Sequence, residues 1–305
     1  MNTTEKNDVR SYLDWALKGR SAWWLYIIGA FLLYLVLIIG RMLFGALVIP
    51  VFGSLAKSSP AGQFFVQHLD FLVILIAPFI LAWLLHNRPW WSVMMPRLKV
   101  EWRNLGMGFL FALVLLFIGA IIDVVFYGIK ITVEPQDLSI YLPFLVTTFF
   151  MFLLQTSAEE LAFRGYYMQA VRRFTSSPML IIGLTGAWFA FFHRLNLAGY
   201  GYPWYGILLW FFDGCMLAWL AYRSRSLWMP IGWHWANNFG QISLLSVKDS
   251  KDVVQGISFL VADNTPPLEL IILNKVIILL PLAFAIHWLL KRREKTIEEQ
   301  GNHEI

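Results

Sequence analysis

Long apolar runs separated by short polar segments dominate the chain from about residue 23 onward. A membrane-spanning helix needs about 20 mostly apolar residues, and about eight runs approach that length. Because only helices and closed barrels satisfy their backbone groups in lipid, the pattern predicts an all-α, polytopic integral membrane protein. The predicted spans are 23–53, 71–85, 105–127, 141–167, 179–195, 203–222, 228–247 and 268–290.

The composition agrees with this pattern and excludes several classes of protein. The 305 residues have a mean hydropathy of +0.61, and charged residues make up 14% of the chain, against about 25% in globular domains. An ordinary soluble enzyme and a disordered chain are therefore excluded. The single cysteine, Cys215, excludes an intrachain disulfide.

Basic residues alternate between loops in a way that predicts the orientation. Most Lys and Arg residues lie in the first 22 residues, in the loops before the third, fifth and seventh runs, and after residue 290. The positive-inside rule then places both termini in the cytoplasm. It divides the chain into a cytoplasmic N-terminal tail (1–22), a transmembrane domain (23–290) and a charged cytoplasmic tail (291–305). The net charge of +5 is explained by this rule, so we expect no nucleic-acid partner.

Ionisable side chains cluster in the fourth to seventh runs, where they are costly and by default indicate function. Isolated charges elsewhere, such as Arg41, Asp123 and Lys275, are interpreted as structural, and so are Asp213 and Arg194 beside the cluster. The clustered residues are Glu159, Glu160, Arg164, His193 and His234, accompanied by Asn238. Consecutive elements tend to be neighbours in space, so these residues are expected to meet.

The spacing within the fourth run separates the two carboxylates. Glu160 and Arg164 are four residues apart, so they can pair along one helix face. Glu159 is rotated from Glu160 by about 100° and can point elsewhere. One carboxylate can therefore hold a structural ion pair while the other stays available for chemistry. The same four-residue spacing relates Phe189 to His193 and His234 to Asn238.

The residue types favour hydrolysis. A carboxylate and an imidazole that face one water molecule can deprotonate it, and an Asn amide with a second imidazole can stabilise an oxyanion. The same set could instead hold zinc, in which case the ligands would be Glu159, His193 and His234. The H-E-x-x-H pattern of zincins is missing, so no metal cofactor is favoured and zinc remains the alternative.

Three short motifs resemble those of the CPBP family, also called the Abi family. They are E-E-x-x-x-R at 159–164, F-x-x-x-H at 189–193 and H-x-x-x-N at 234–238. The family includes the type II CAAX prenyl endopeptidases and many bacterial intramembrane proteases. The resemblance covers about 138–247, which is the predicted catalytic core.

The resemblance implies an eight-helix intramembrane endopeptidase with a cavity open to the cytoplasm. In that family pattern Glu159 and His193 would activate water, and His234 and Asn238 would form the oxyanion site. Glu160, Arg164 and Phe189 would support them. Both a metallo and a metal-free glutamate mechanism are associated with the family.

The expected partner is a membrane-associated protein or peptide substrate, lipidated or not, within the lipid bilayer. Bacterial members resembling this chain are linked to bacteriocin maturation and immunity, peptide-signal processing and regulation of membrane sensors. Short tails and no transit peptide suit a multi-pass protein of a bacterial plasma membrane.

Two other functions remain as hypotheses. A non-enzymatic membrane scaffold or immunity protein would bind a partner through its spans and would not need Glu159. An ion- or proton-coupled transporter would favour inverted repeats and broken helices in matching positions, which the sequence does not show.

Overall fold

The computed structural model describes residues 9–194, 196–247, 258, 260–278, 284, 286–288 and 291. Helices make up most of this part of the chain, which confirms the all-α class. Five helices are long and apolar enough to cross a membrane, which confirms a polytopic membrane protein. We label them α1 (Trp23–Ser58), α2 (Pro60–Leu85), α3 (Trp102–Tyr127), α4 (Leu138–Phe174) and α6 (Trp204–Ser224).

The remaining predicted spans have shorter helices or lie partly outside the described residues. The apolar helix α5 covers Pro178–His193. Helix α7 covers Trp228–Phe239 and continues as a π-helical turn, Gly240–Leu244. The eighth run is helical over 268–278, and much of 279–290 lies outside the described residues. The number of eight spans and the cytoplasmic termini therefore stay predictions.

The ends of the long helices follow from local sequence. The side chain of Asp137 caps α4 by accepting a hydrogen bond from the backbone N–H of Ser139, as expected of an N-cap aspartate. Pro178 opens α5, where its missing N–H costs nothing. Gly128 ends α3 in the left-handed conformation, with φ of 68°, which glycine adopts without strain.

Helix α4 changes its winding next to the clustered charges. The segment Leu161–Tyr167 is π-helical and all of its residues are buried. The wider turn changes the direction in which the following side chains project, and such turns are frequent at functional sites. Glu159 and Glu160 are the last residues of the regular part of the helix.

Glycines allow two pairs of helices to approach closely. Gly108 of α3 and Gly232 of α7 each face the backbone of the other helix, so that a Cβ atom at either would collide with a carbonyl oxygen. A Cβ at Gly214 of α6 would lie 2.8 Å from the Cα of Gly186 in α5. Small residues at helix contacts are the usual means of close packing in membranes.

The N-terminal residues pack into the bundle, which the polar sequence of 1–22 did not predict. A short 3₁₀ helix covers Tyr12–Leu17 and begins with a capping box formed by Ser11 and Asp14. The Tyr26 hydroxyl donates to the carbonyl oxygen of Ala16 at 3.0 Å. The buried residues of this segment are Val9, Tyr12, Leu13, Trp15 and Ala16. Residues 1–8 lie outside the described part.

A small sheet connects the end of α3 to the end of α7. Its strands are β1 (Ile131–Val133), β2 (Leu245–Val247) and β3 (Leu260–Ala262), in the order β1-β3-β2. β3 pairs antiparallel with β1 and parallel with β2. The seventh apolar run was predicted to be helical to residue 247. That prediction is wrong for its last three residues, because the backbone becomes extended at Leu245 and continues as β2.

The glycine contact between α3 and α7 predicts a difference between two alanine substitutions. Gly232→Ala should lower stability by about 1–3 kcal/mol, because the added methyl group overpacks a backbone contact. Gly119→Ala, where a Cβ would meet nothing within 4 Å, should leave stability unchanged or raise it slightly. Thermal melting of the two variants in detergent checks this; equal melting temperatures would contradict the packing argument.

Candidate active site

The carboxylate of Glu160 is the centre of a buried ion-pair network. Its Oε1 accepts hydrogen bonds from Arg164 Nη1 at 2.9 Å and from His234 Nδ1 at 2.8 Å. The side chains of Glu160 and Arg164 have no solvent exposure. The ion pair expected from the four-residue spacing is therefore present, and it also holds α7 against α4.

Arg164 extends this network to α5 and α6. Its Nη2 donates to the carbonyl oxygen of Gly214 at 3.3 Å. Its guanidinium carbon lies 4.2 Å from the centre of the Phe189 ring, a cation–π geometry. The Phe189 ring in turn lies 4.1 Å from the ring of His193 and 6.2 Å from that of His234. Phe189 therefore contacts both the guanidinium of Arg164 and the imidazole of His193.

Glu159 is buried but is bound differently from its neighbour. Its Oε1 accepts a hydrogen bond from Gln155 Nε2 at 3.0 Å. Its Oε2 lies 3.7 Å from His234 Nε2, which is too long for a direct hydrogen bond. The structure thus points one carboxylate oxygen of Glu159 at the free nitrogen of His234.

The two histidines have defined orientations. His193 Nδ1 lies 2.8 Å from the carbonyl oxygen of Phe189, which can only accept, so Nδ1 carries a proton and Nε2 is the second ring nitrogen. His234 Nδ1 likewise carries a proton, which it donates to Glu160 Oε1. Trp210 stacks beside the His193 ring at 5.9 Å between ring centres. His193 lies within electrostatic range of Glu159 and His234.

Asn238 is the predicted site residue with the weakest connection to the others. It is half-buried, and its side-chain oxygen lies 3.4 Å from the amide nitrogen of Asn237. No hydrogen bond within the described part of the chain joins Asn238 to Glu159, His193 or His234. It lies one helical turn beyond His234 on α7, so it shares that face of the helix.

Partners are present for four of the charges that were interpreted as structural. Lys275 Nζ donates to Asp213 at 2.6 Å, and Arg41 Nε donates to Asp70 at 2.6 Å. Arg194 is exposed, and its guanidinium lies over the Phe191 ring at 4.0 Å. The two ion pairs join helices, whereas the Arg194 contact is local to the end of α5.

Gln155 was missed by the sequence analysis although it contacts Glu159 directly. It lies four residues before Glu159, and that spacing places two side chains on one helix face. The signal was therefore present in the sequence.

The arrangement of the possible zinc ligands does not suit a metal site. Among the residues that the structure describes, no three His, Cys, Asp or Glu side chains converge in a way that could hold a metal ion. We therefore derive no step through a metal.

Fold and site together define a polytopic helical membrane protein with a buried Glu–Arg–His network carried by α4 to α7. The family model for type II CAAX prenyl endopeptidases, described as Rce1-like, matches residues 141–240. That range contains the site residues named above, and the match confirms the resemblance to the CPBP family.

One curated relative is similar over a longer part of the chain. The uncharacterized protein YyaK of Bacillus subtilis (strain 168) is 27% identical over 194 residues, which is 63% of this chain and 64% of the relative. The chain therefore spans less than two thirds of that relative. No solved structure matches the chain.

Removing Arg164 should destabilise the protein, because the buried carboxylate of Glu160 loses its cation. Arg164→Met should lower the unfolding free energy by about 3–5 kcal/mol, because it leaves Glu160 buried without its cation. Thermal melting in detergent measures the loss, with exposed Arg194→Met as the matched control.

A double variant sharpens this test. Glu160→Gln combined with Arg164→Met removes the unpaired charge and keeps an oxygen that can accept from His234. It should therefore melt above Arg164→Met alone. A lower melting temperature for the double variant would show that the ion pair is not the dominant contribution.

Proposed function

We propose that the chain is an intramembrane endopeptidase that hydrolyses a peptide bond of a membrane-associated protein or peptide. The observation that carries the proposal is the buried approach of Glu159 Oε2 to His234 Nε2 at 3.7 Å. The match of the surrounding segment to an endopeptidase family model supports it.

Glu159 and His193 are proposed to activate water. A water molecule bound between Glu159 Oε2 and His234 Nε2 would be within hydrogen-bonding distance of both atoms. Glu159 takes a proton from that water, and the hydroxide attacks the carbonyl carbon of the scissile peptide. The rings of His193 and His234 both lie near that of Phe189, and Nε2 of His193 is proposed to provide a second acceptor for the water protons.

His234 and Asn238 are proposed to stabilise the oxyanion. In its doubly protonated form His234 donates Nδ1–H to Glu160 and presents Nε2–H on the side of Glu159, where the oxyanion forms. The Asn238 amide supplies the second donor from the next turn of α7. The proton held by Glu159 then passes to the amide nitrogen as the C–N bond breaks, which yields a carboxylic acid group and an amine.

Glu160, Arg164 and Phe189 support this chemistry by holding the imidazoles. Glu160 fixes His234 through Nδ1, and Arg164 fixes Glu160. Phe189 packs against Arg164 on one side and His193 on the other. A misplaced catalytic group loses much of its rate advantage, so we expect these residues to affect turnover strongly.

We place the enzyme in the plasma membrane as a multi-pass protein, with its substrate reaching the site within or along the bilayer. The substrate is a membrane protein or peptide, and a lipid attached to it would strengthen its partition into the bilayer. No metal is required in this mechanism.

The first test compares membranes that contain wild type or Glu159→Gln at matched expression. Mass spectrometry of new peptide termini should find a set present with wild type and reduced at least about 100-fold with the variant, since a general base contributes about 10²–10⁴-fold. Exposed Glu134→Gln is the matched control and should give the wild-type set.

The outcomes separate the competing functions. Termini that depend on Glu159 establish proteolysis and identify the substrate and its cleavage site. The non-enzymatic scaffold would be favoured if the termini are identical in all three membranes and Glu159→Gln still gives any phenotype that the wild-type protein gives in cells.

A second test concerns the metal. Purified protein that is exhaustively treated with a strong chelator should keep its activity on a peptide containing the cleavage site, because the side chains available do not form a ligand set. Elemental analysis of the same sample verifies removal. Loss of activity that returns on adding zinc would overturn the metal-free mechanism.

A further inference from the structure

Gln155 donates to one specific oxygen of Glu159. Its Nε2 lies 3.0 Å from Glu159 Oε1, one helical turn away on α4. An amide nitrogen is a donor only, so Oε1 must act as the acceptor in this contact. The other oxygen, Oε2, is the one that faces His234 Nε2.

The Gln155 amide keeps one orientation although its own oxygen has no donor. Oε1 of Gln155 is buried and has no hydrogen-bond partner within the described part of the chain. A buried amide oxygen without a donor is costly. With the amide turned the other way, this oxygen would face Glu159 Oε1, an acceptor against an acceptor, so the NH₂ group stays toward Glu159.

We propose that Gln155 is a positioning residue that keeps Oε1 of Glu159 occupied and leaves Oε2 as the oxygen that accepts the proton from water. This deepens the proposed function and rests on it for its catalytic part. With a donor already on Oε1, a proton on the same atom would face the amide hydrogen. The proton therefore goes to Oε2, on the side of His234.

Infrared spectroscopy tests the contact without any substrate. In protein reconstituted in nanodiscs and titrated to acid pH, the C=O stretching band of protonated Glu159 is the band that Glu159→Gln lacks. Gln155→Leu should shift this band to higher frequency, because the C=O group of Oε1 loses its hydrogen-bond donor. Gln155→Met serves as a second variant of similar shape, in case the leucine variant does not fold.

A further variant controls for the surroundings. Gln67→Leu replaces a glutamine at an exposed position of α2 and should leave the band unchanged. A band that stays in place in both Gln155 variants would overturn the proposal.

Kinetics tests the catalytic part on a synthetic peptide spanning a cleavage site found from the new termini. Gln155→Leu should lower kcat by roughly 10- to 100-fold with KM unchanged, as expected for a lost hydrogen bond to a charged group. A shifted band with unchanged kcat would overturn the positioning role. If Gln155→Leu shifts the band but the wild-type protein cleaves no peptide, the contact is upheld and the proposed function is what has failed.

Discussion

The rest of the site depends on the two hydrogen bonds that the carboxylate of Glu160 accepts from Arg164 and His234. An unpaired charge within a membrane-spanning helix is strongly unfavourable, so Glu160 is stable there only with its donors in place. One oxygen receives both Arg164 and His234. Because these donors come from α4 and α7, the cost of burying the charge fixes how the two helices face each other. The position of His234 follows from that constraint.

The close approach of α5 and α6 gives Arg164 a second acceptor. Gly186 and Gly214 pack backbone against backbone, and the carbonyl oxygen of Gly214 thereby reaches Arg164. A side chain at either position would push α6 away and leave the guanidinium without this acceptor. Outside the family-matched segment, the hydroxyl of Tyr12 donates to the backbone carbonyl oxygen of Arg164 at 2.9 Å. The packed N-terminal helix therefore also contacts the π-helical turn that carries Arg164.

Local spacing predicted the parts of the site that lie within one helix, and contacts between helices required the structure. The Glu160–Arg164 pair follows from a separation of four residues. The bond of His234 to Glu160 rather than Glu159 depends on how α4 and α7 are rotated relative to each other. Asp213 and Lys275 were both interpreted as structural, but their pairing across 62 residues could not be derived from periodicity. The apolar runs predicted the fold class, although polar residues extend α1 to Ser58.

Two adjacent carboxylates differ in this protein because their donors differ. Glu160 receives a guanidinium and an imidazole on one oxygen, so displacing it would break two bonds at once. Glu159 receives a neutral amide from Gln155 on one oxygen and directs the other at an imidazole nitrogen 3.7 Å away. Environments that differ in this way assign different roles to chemically identical groups. Glu160 is therefore the carboxylate bound by two charged or polar side chains that hold helices together, and Glu159 is the one whose second oxygen faces an imidazole nitrogen, as the proposed general base requires.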